Sequence, residues 1–130
     1  MKYFLLALIT FFALFFNSCN DNLAHNPSDI IFPDSNVSFQ QHVQPVIMYN
    51  CSYSGCHSDD SRAGGLRITD YYSYFETQAI GLVIPGNPDA SRLIQIVETP
   101  SYHIPYIIWQ LNANHKAGLR KWIEEGAANN

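Results

Sequence analysis

The chain has no run of basic residues. Its seven lysines and arginines are scattered among eleven acidic residues, for a formal net charge of −4 over 130 residues, and without a positive stripe it offers nucleic acid no footprint. It also lacks a nucleophile elbow and a metalloprotease helix, so no serines, histidines and carboxylates can be assigned to a hydrolytic reaction. The expected role is not enzymatic. No stretch alternates apolar and polar residues strongly enough for a sheet, so the fold class expected is all-α. Cysteine is scarce, with residues only at 19, 51 and 56, and the apolar run from Tyr3 to Phe16 is too short to span a bilayer comfortably.

That run follows Lys2, which together read as an export signal. It stops at Asn17-Ser18-Cys19, a small residue before a cysteine, which resembles the bacterial lipoprotein cleavage site. Cys19 would then become the lipidated first residue of the mature chain, and loss of Lys2 would take the net charge to −5. The implied organisation is a signal over 1–18, a flexible tether over 19–36 rich in Asn, Asp, Ser and Pro, and a folded domain over 37–130. It also implies a place in the cell envelope and membrane contact through a lipid anchor. Outside the cytoplasm, the remaining pair Cys51 and Cys56 is either oxidised or used.

Ser38 can cap a first helix with Phe39, Val43, Val46 and Ile47 inward, bent or restarted at Pro45. A polar loop closes on Gly64-Gly65, and Leu66-Arg67-Ile68 is a short extended piece. Thr69 or Asp70 can cap a second helix through Tyr71, Tyr72, Tyr74, Phe75 and Ala79; this aromatic segment suits either the lining of a large flat ligand or plain core. Beyond the turn at Pro85-Gly86, Asp89 or Ser91 can cap a third helix with Leu93, Ile94 and Val97 as its apolar face. Asn112 caps a last helix that packs Leu119, Trp122 and Ile123 inward and stops at Gly126.

The first helix delivers the chain to Cys51-Ser52-Tyr53-Ser54-Gly55-Cys56-His57. Two cysteines with a histidine directly after the second form the attachment pattern of c-type haem, in which the thiols add to porphyrin vinyl groups and the imidazole takes an axial position on iron. The usual spacing leaves two residues between the cysteines, and here there are four. A lone Cys51–Cys56 disulfide is the plain alternative. A zinc site on the same residues lacks a second paired motif.

Around this segment, Val43-Gln44-Pro45-Val46-Ile47, Asn50-Cys51 through Cys56-His57, and Gly64-Gly65-Leu66 stand in the order seen in small exported mono-haem cytochrome c domains, including the planctomycete type. Ile84-Pro85-Gly86-Asn87-Pro88-Asp89-Ala90-Ser91-Arg92-Leu93 and Trp122-Ile123-Glu124-Glu125-Gly126-Ala127 continue that order, so the resemblance covers Val37 to Asn130. The ending Gly126 to Asn130 is similar to Bacteroidetes-type members. The resemblance implies a helical fold with the first and last helices crossing beside one covalent haem c. It implies vinyl attachment at Cys51 and Cys56, with the extra residues looping outward, and His57 as the proximal ligand. Members of the family usually present Met-Pro before the last helix, and here the pair is Ile104-Pro105. Ile cannot ligate iron. The candidate for the opposite face is His103, in the same loop; His115, His42, Met48 and His25 are expected at surface or core positions.

The function expected is electron transfer with a redox partner protein that the sequence does not identify. The alternatives are a haem-based sensor with an open sixth position, and a structural domain that keeps the fold with a Cys51–Cys56 disulfide and no haem.

Overall fold

The computed structural model describes residues 26–99, 103 and 111–130. Among the described residues no strand forms, and the elements are helices and tight turns. The signal segment, Cys19 and His25 lie outside the described residues, as do Ile104 and Pro105.

The first helix begins as a π-helical turn, Phe39–Val43, and continues as α1, Gln44–Cys51. Pro45 explains the change of pitch: it has no N–H to close an α turn on Gln41, and the bonds just before it reach one residue further back, from Val43 N to Ser38 O and from Gln44 N to Phe39 O. The Ser38 hydroxyl caps this start by accepting from Gln41 N at 3.2 Å. Phe39, Val43, Val46 and Ile47 are all buried, on the side the sequence spacing predicts. α2 spans Arg92–Glu98 and buries Leu93, Ile94 and Val97. α3 spans Ala113–Glu124, capped by the Asn112 side chain accepting from His115 N at 2.9 Å, and buries Leu119, Trp122 and Ile123.

α3 and the first helix meet at Trp122. Its indole lies 5.6 Å from Phe39 and edge-on to Tyr74 at 5.9 Å between ring centres, and its N–H donates to Ala128 O at 3.0 Å. Gly126 (φ +96) and Ala127 (φ +52) turn the chain back after α3. Asn130 then returns to the first helix, accepting from Phe39 N through its side chain and from the Ser38 hydroxyl through its carbonyl oxygen.

The aromatic segment is not a helix of ordinary length. It forms two 3-10 turns, Tyr72–Phe75 and Thr77–Ala79, separated by Glu76 in extended conformation. Asp70 caps the first by accepting from Ser73 N at 3.0 Å. Tyr74 is buried against Phe39 and Trp122, and Tyr71 donates to Ala127 O at 2.9 Å. Tyr74 is core with Tyr71 packed against it, Tyr72 and Phe75 are exposed, and none of the four lines the cavity described below. Ser91 also departs from expectation. It precedes α2, but its hydroxyl accepts from Ile84 N and donates to Asn87 O, stitching the Pro85-Gly86-Asn87 turn instead of capping the helix.

The larger correction concerns residues 26–36, expected as part of a flexible tether. Ile30 and Phe32 are buried. Asn114 on α3 pairs with the backbone of Phe32 in both directions, accepting at 2.8 Å and donating at 3.0 Å. The Glu125 carboxylate accepts from Asn36 N and Val37 N, which holds its carboxyl below the ordinary glutamate range. Polar composition hid two well-spaced apolar residues whose partners lie more than eighty residues along the chain.

Phe32 fits because residue 118 is glycine. A Cβ there would lie 2.1 Å from the Phe32 ring. Gly118→Ala is therefore expected to push the arm off α3 and to destabilise the fold by about 1–3 kcal/mol, as overpacking does. A lower denaturation midpoint together with faster proteolysis near Phe32 checks this; an unchanged midpoint would mean the arm is not part of the cooperative unit.

Candidate functional site

The C-terminal end of α1 carries Cys51, and from there the chain turns through the four residues that separate the two cysteines. Ser52 is buried and its hydroxyl donates to Ile68 O, while Tyr53, Ser54 and Gly55 face solvent. Gly55 makes the outward excursion possible with φ +88, a backbone that L side chains rarely adopt, and its N–H donates to the Ser61 hydroxyl at 2.7 Å. The loop closes by a bond from His57 N to Cys51 O at 3.0 Å, so the longer spacing still returns His57 to the end of α1.

Both cysteines are free thiols, Cys51 half-buried and Cys56 buried, and no bond joins them as the disulfide alternative requires. Burial, with the neighbouring Cys56 as a second cause, pushes the Cys51 thiol up to about 12. It is therefore protonated at neutral pH and a poor spontaneous target for oxidants.

His57 is held in one orientation. Its Nδ1 lies 3.1 Å from Leu66 O, and a carbonyl can only accept, so Nδ1 carries the proton. Nε2 is then the nitrogen with a lone pair to give. The backbone on either side is fixed as well, since Ala63 N donates to Cys56 O and Ile68 N donates to His57 O, both at 2.9 Å. A carbonyl bound to one ring nitrogen fixes tautomer and orientation as a ligating histidine requires.

Leu66 and Ile68 point inward and Arg67 between them points out, as extended backbone requires. The Arg67 guanidinium pairs with Asp59, Asp70 and Glu76, clamping the loop behind His57 to this extended piece. Arg67 holds the Glu76 carboxyl below the usual carboxylate range.

Inside the clamp is a small apolar cavity of about 30 Å³ that opens to solvent. One wall is Cys51, His57, Leu66 and Ile68. The other is Leu82 with Leu93, Ile96 and Val97 of α2, and Leu111 ahead of α3 closes it. α2 is kept against α3 by Arg120, whose guanidinium forks onto Glu98 at 3.0 and 2.8 Å and reaches Asp89 at 2.6 Å.

His103 also lines the cavity, with its ring 5.8 Å from that of His57 between centres and 17° from parallel. Burial, and then the neighbouring His57, hold its imidazole below the ordinary histidine range. The other candidates lie elsewhere. His42 accepts from Ser38 N through Nδ1 at 3.0 Å, His115 is buried with Nε2 3.0 Å from Ile30 O, and Met48 is exposed on α1. Sequence spacing had no means of finding Ile96 or Leu111, because the cavity exists only once α2 lies opposite the cysteine loop.

The donor set fits an iron porphyrin better than a bare ion. Among the described residues no three of His, Cys, Asp and Glu converge to hold a metal by themselves, whereas a tetrahedral zinc site needs about three or four protein ligands. A porphyrin brings four nitrogens of its own and asks the protein for an axial imidazole, an apolar slot and, for the c type, two thiols beside it. Cys51, His57 and the leucine and isoleucine walls line the cavity, and Cys56 is buried next to His57 in sequence but outside that lining.

No curated protein and no solved structure matches this chain. Residues 54–102 match the family model described as planctomycete cytochrome C, a stretch that takes in Cys56-His57, the aromatic core turns and α2. Over that stretch, in an all-helical frame among the described residues, the chain is similar to planctomycete-type cytochrome c domains.

Proposed function

We propose that the protein is an electron carrier of the cell envelope, not an enzyme, holding one haem c attached through Cys51 and Cys56 and ligated by His57. The observation that carries this reading is the state of His57: Nδ1 is committed to Leu66 O, which leaves the lone pair on Nε2, and the ring shares an apolar cavity with Cys51. Bound there, an iron porphyrin supplies reversible one-electron exchange.

The residues of the chain do the rest. Cys51 and Cys56 would hold the group covalently, each giving its sulfur to one vinyl carbon and its thiol hydrogen to the neighbouring one, with no net oxidation or reduction. Leu66 O keeps His57 in the ligating tautomer. The hydrocarbon of Leu82, Leu93, Ile96 and Val97 would supply the group an apolar wall of low dielectric.

Export and a lipid on Cys19 would place this site at a membrane surface, facing a soluble or membrane redox protein. Among the described residues no helix is long and apolar enough to cross a membrane.

The test is to produce the full chain in a bacterial host that attaches haem c and to record its intact mass and visible spectrum. One haem of added mass with a Soret band is the expected result. A chain with the polypeptide mass alone, or two hydrogens lighter through a Cys51–Cys56 bond, sinks the reading.

A further inference from the structure

We infer, resting on the haem reading above, that His103 is the second axial ligand, so that the iron sits between two imidazoles.

Three observations converge on it. The first is spacing. Two imidazoles that bind one first-row metal from opposite sides, at the roughly 2 Å of a metal–nitrogen bond, have ring centres roughly 6 Å apart. The centres of His57 and His103 are 5.8 Å apart. The rings are also within 17° of parallel, an arrangement two imidazoles sharing one metal can adopt, and the separation also lies within the roughly 4.5–7 Å of ordinary aromatic packing.

The second is the chemistry of the cavity. Of the described residues that line it, only Cys51, His57 and His103 carry a ligand atom, and Cys51 is committed to a thioether on the haem reading. The other described wall residues are Leu, Ile or Val. An imidazole placed among hydrocarbon side chains, opposite the one oriented for iron, has no competing acceptor among them.

The third is that the other sulfur and nitrogen candidates among the described residues are used elsewhere. His42 is bonded to Ser38 N and packs on Phe32, His115 is bonded to Ile30 O on the far side of the same ring, and Met48 points to solvent. None lines the cavity.

Two functional consequences follow. A closed, six-coordinate iron excludes the open-site sensor role. A second nitrogen in place of a thioether sulfur also lowers the potential relative to a His/Met cytochrome, because the Met ligand is the one that raises it. The protein is then suited to a donor and acceptor at the low-potential end of an electron chain.

The experiment uses the haem-loaded full chain and its His103→Ala, His103→Met and His42→Gln variants. Ferric and ferrous absorption, low-temperature electron paramagnetic resonance, carbon monoxide binding and redox potential are measured on each. The wild type is expected to be low-spin and indifferent to carbon monoxide. His103→Ala should lose the low-spin signature and take up carbon monoxide stoichiometrically, His103→Met should raise the potential, and His42→Gln should match the wild type. Haem attached with an unchanged spectrum in His103→Ala overturns the ligand assignment and leaves attachment standing. So does a wild type that binds carbon monoxide at once. No haem on any variant, by mass, overturns both.

Discussion

Replacing Cys51 and Cys56 together by serine is expected to abolish covalent haem, leaving a chain whose mass is that of the polypeptide and whose pigment, if any, comes away in acidified organic solvent. The substitution is close to isosteric and a serine hydroxyl does not add to a vinyl group, so the chemistry is removed with little change in volume. Cys56 is buried and its carbonyl and N–H are engaged by Ala63 and Tyr53, so the loop that presents His57 should survive. Single replacements separate the two roles. Cys51→Ser should leave one thioether, at the cysteine next to His57, and Cys56→Ser should leave one at the end of α1. Haem that stays bonded in the double variant would show that the wide spacing is not an attachment site at all.

Trp122→Ala is expected to lower stability by about 3–5 kcal/mol, the range for truncating a fully buried aromatic. Trp122 is the contact between the first helix and α3: it meets Phe39 and Tyr74, it is completely buried, and its N–H satisfies Ala128 O. Domains of this size hold about 5–15 kcal/mol in all, so most of the margin goes. Trp122→Phe keeps much of the packing and removes the hydrogen bond, and should cost less, about 1–3 kcal/mol for the unsatisfied group with the lost volume added. Urea titration of the haem-free chain followed by circular dichroism gives both values. A Trp122→Ala midpoint equal to the wild type would place the core elsewhere than at this crossing.

Gly118→Ala adds a third, smaller effect through a different mechanism. It overfills a contact instead of emptying one, and it reports on the arm, not on the helix crossing.

What could be read from the residues alone was local. The caps at Ser38 and Asn112, the inward faces of the first helix and of α3, and the stop at Gly126 depend on neighbours within a turn or two, and all are present. The cysteine and histidine segment was legible for the same reason, since its chemistry is written in adjacent residues. Composition misled where burial was sparse. Ile30 and Phe32 sit in a polar stretch and are buried by Asn114 and Gly118, which no window around residue 30 contains. Tyr74 is core, not ligand lining, because Phe39 and Trp122 arrive from opposite ends of the chain to cover it.

The segment Cys51 to His57 therefore sets the chemistry proposed for the site, and tertiary structure decides its surroundings. Cys51 through His57 determine by themselves which atoms can react with a porphyrin and ligate iron, because thiol and imidazole chemistry travels with the side chain. Which ring nitrogen of His57 is left to ligate depends on Leu66 O, nine residues on. Which group faces it depends on the chain bringing His103 and α2 across the cavity. Such pairings are set by packing between distant segments, whose free energy comes from apolar surface buried throughout the domain and leaves no periodic trace at either residue.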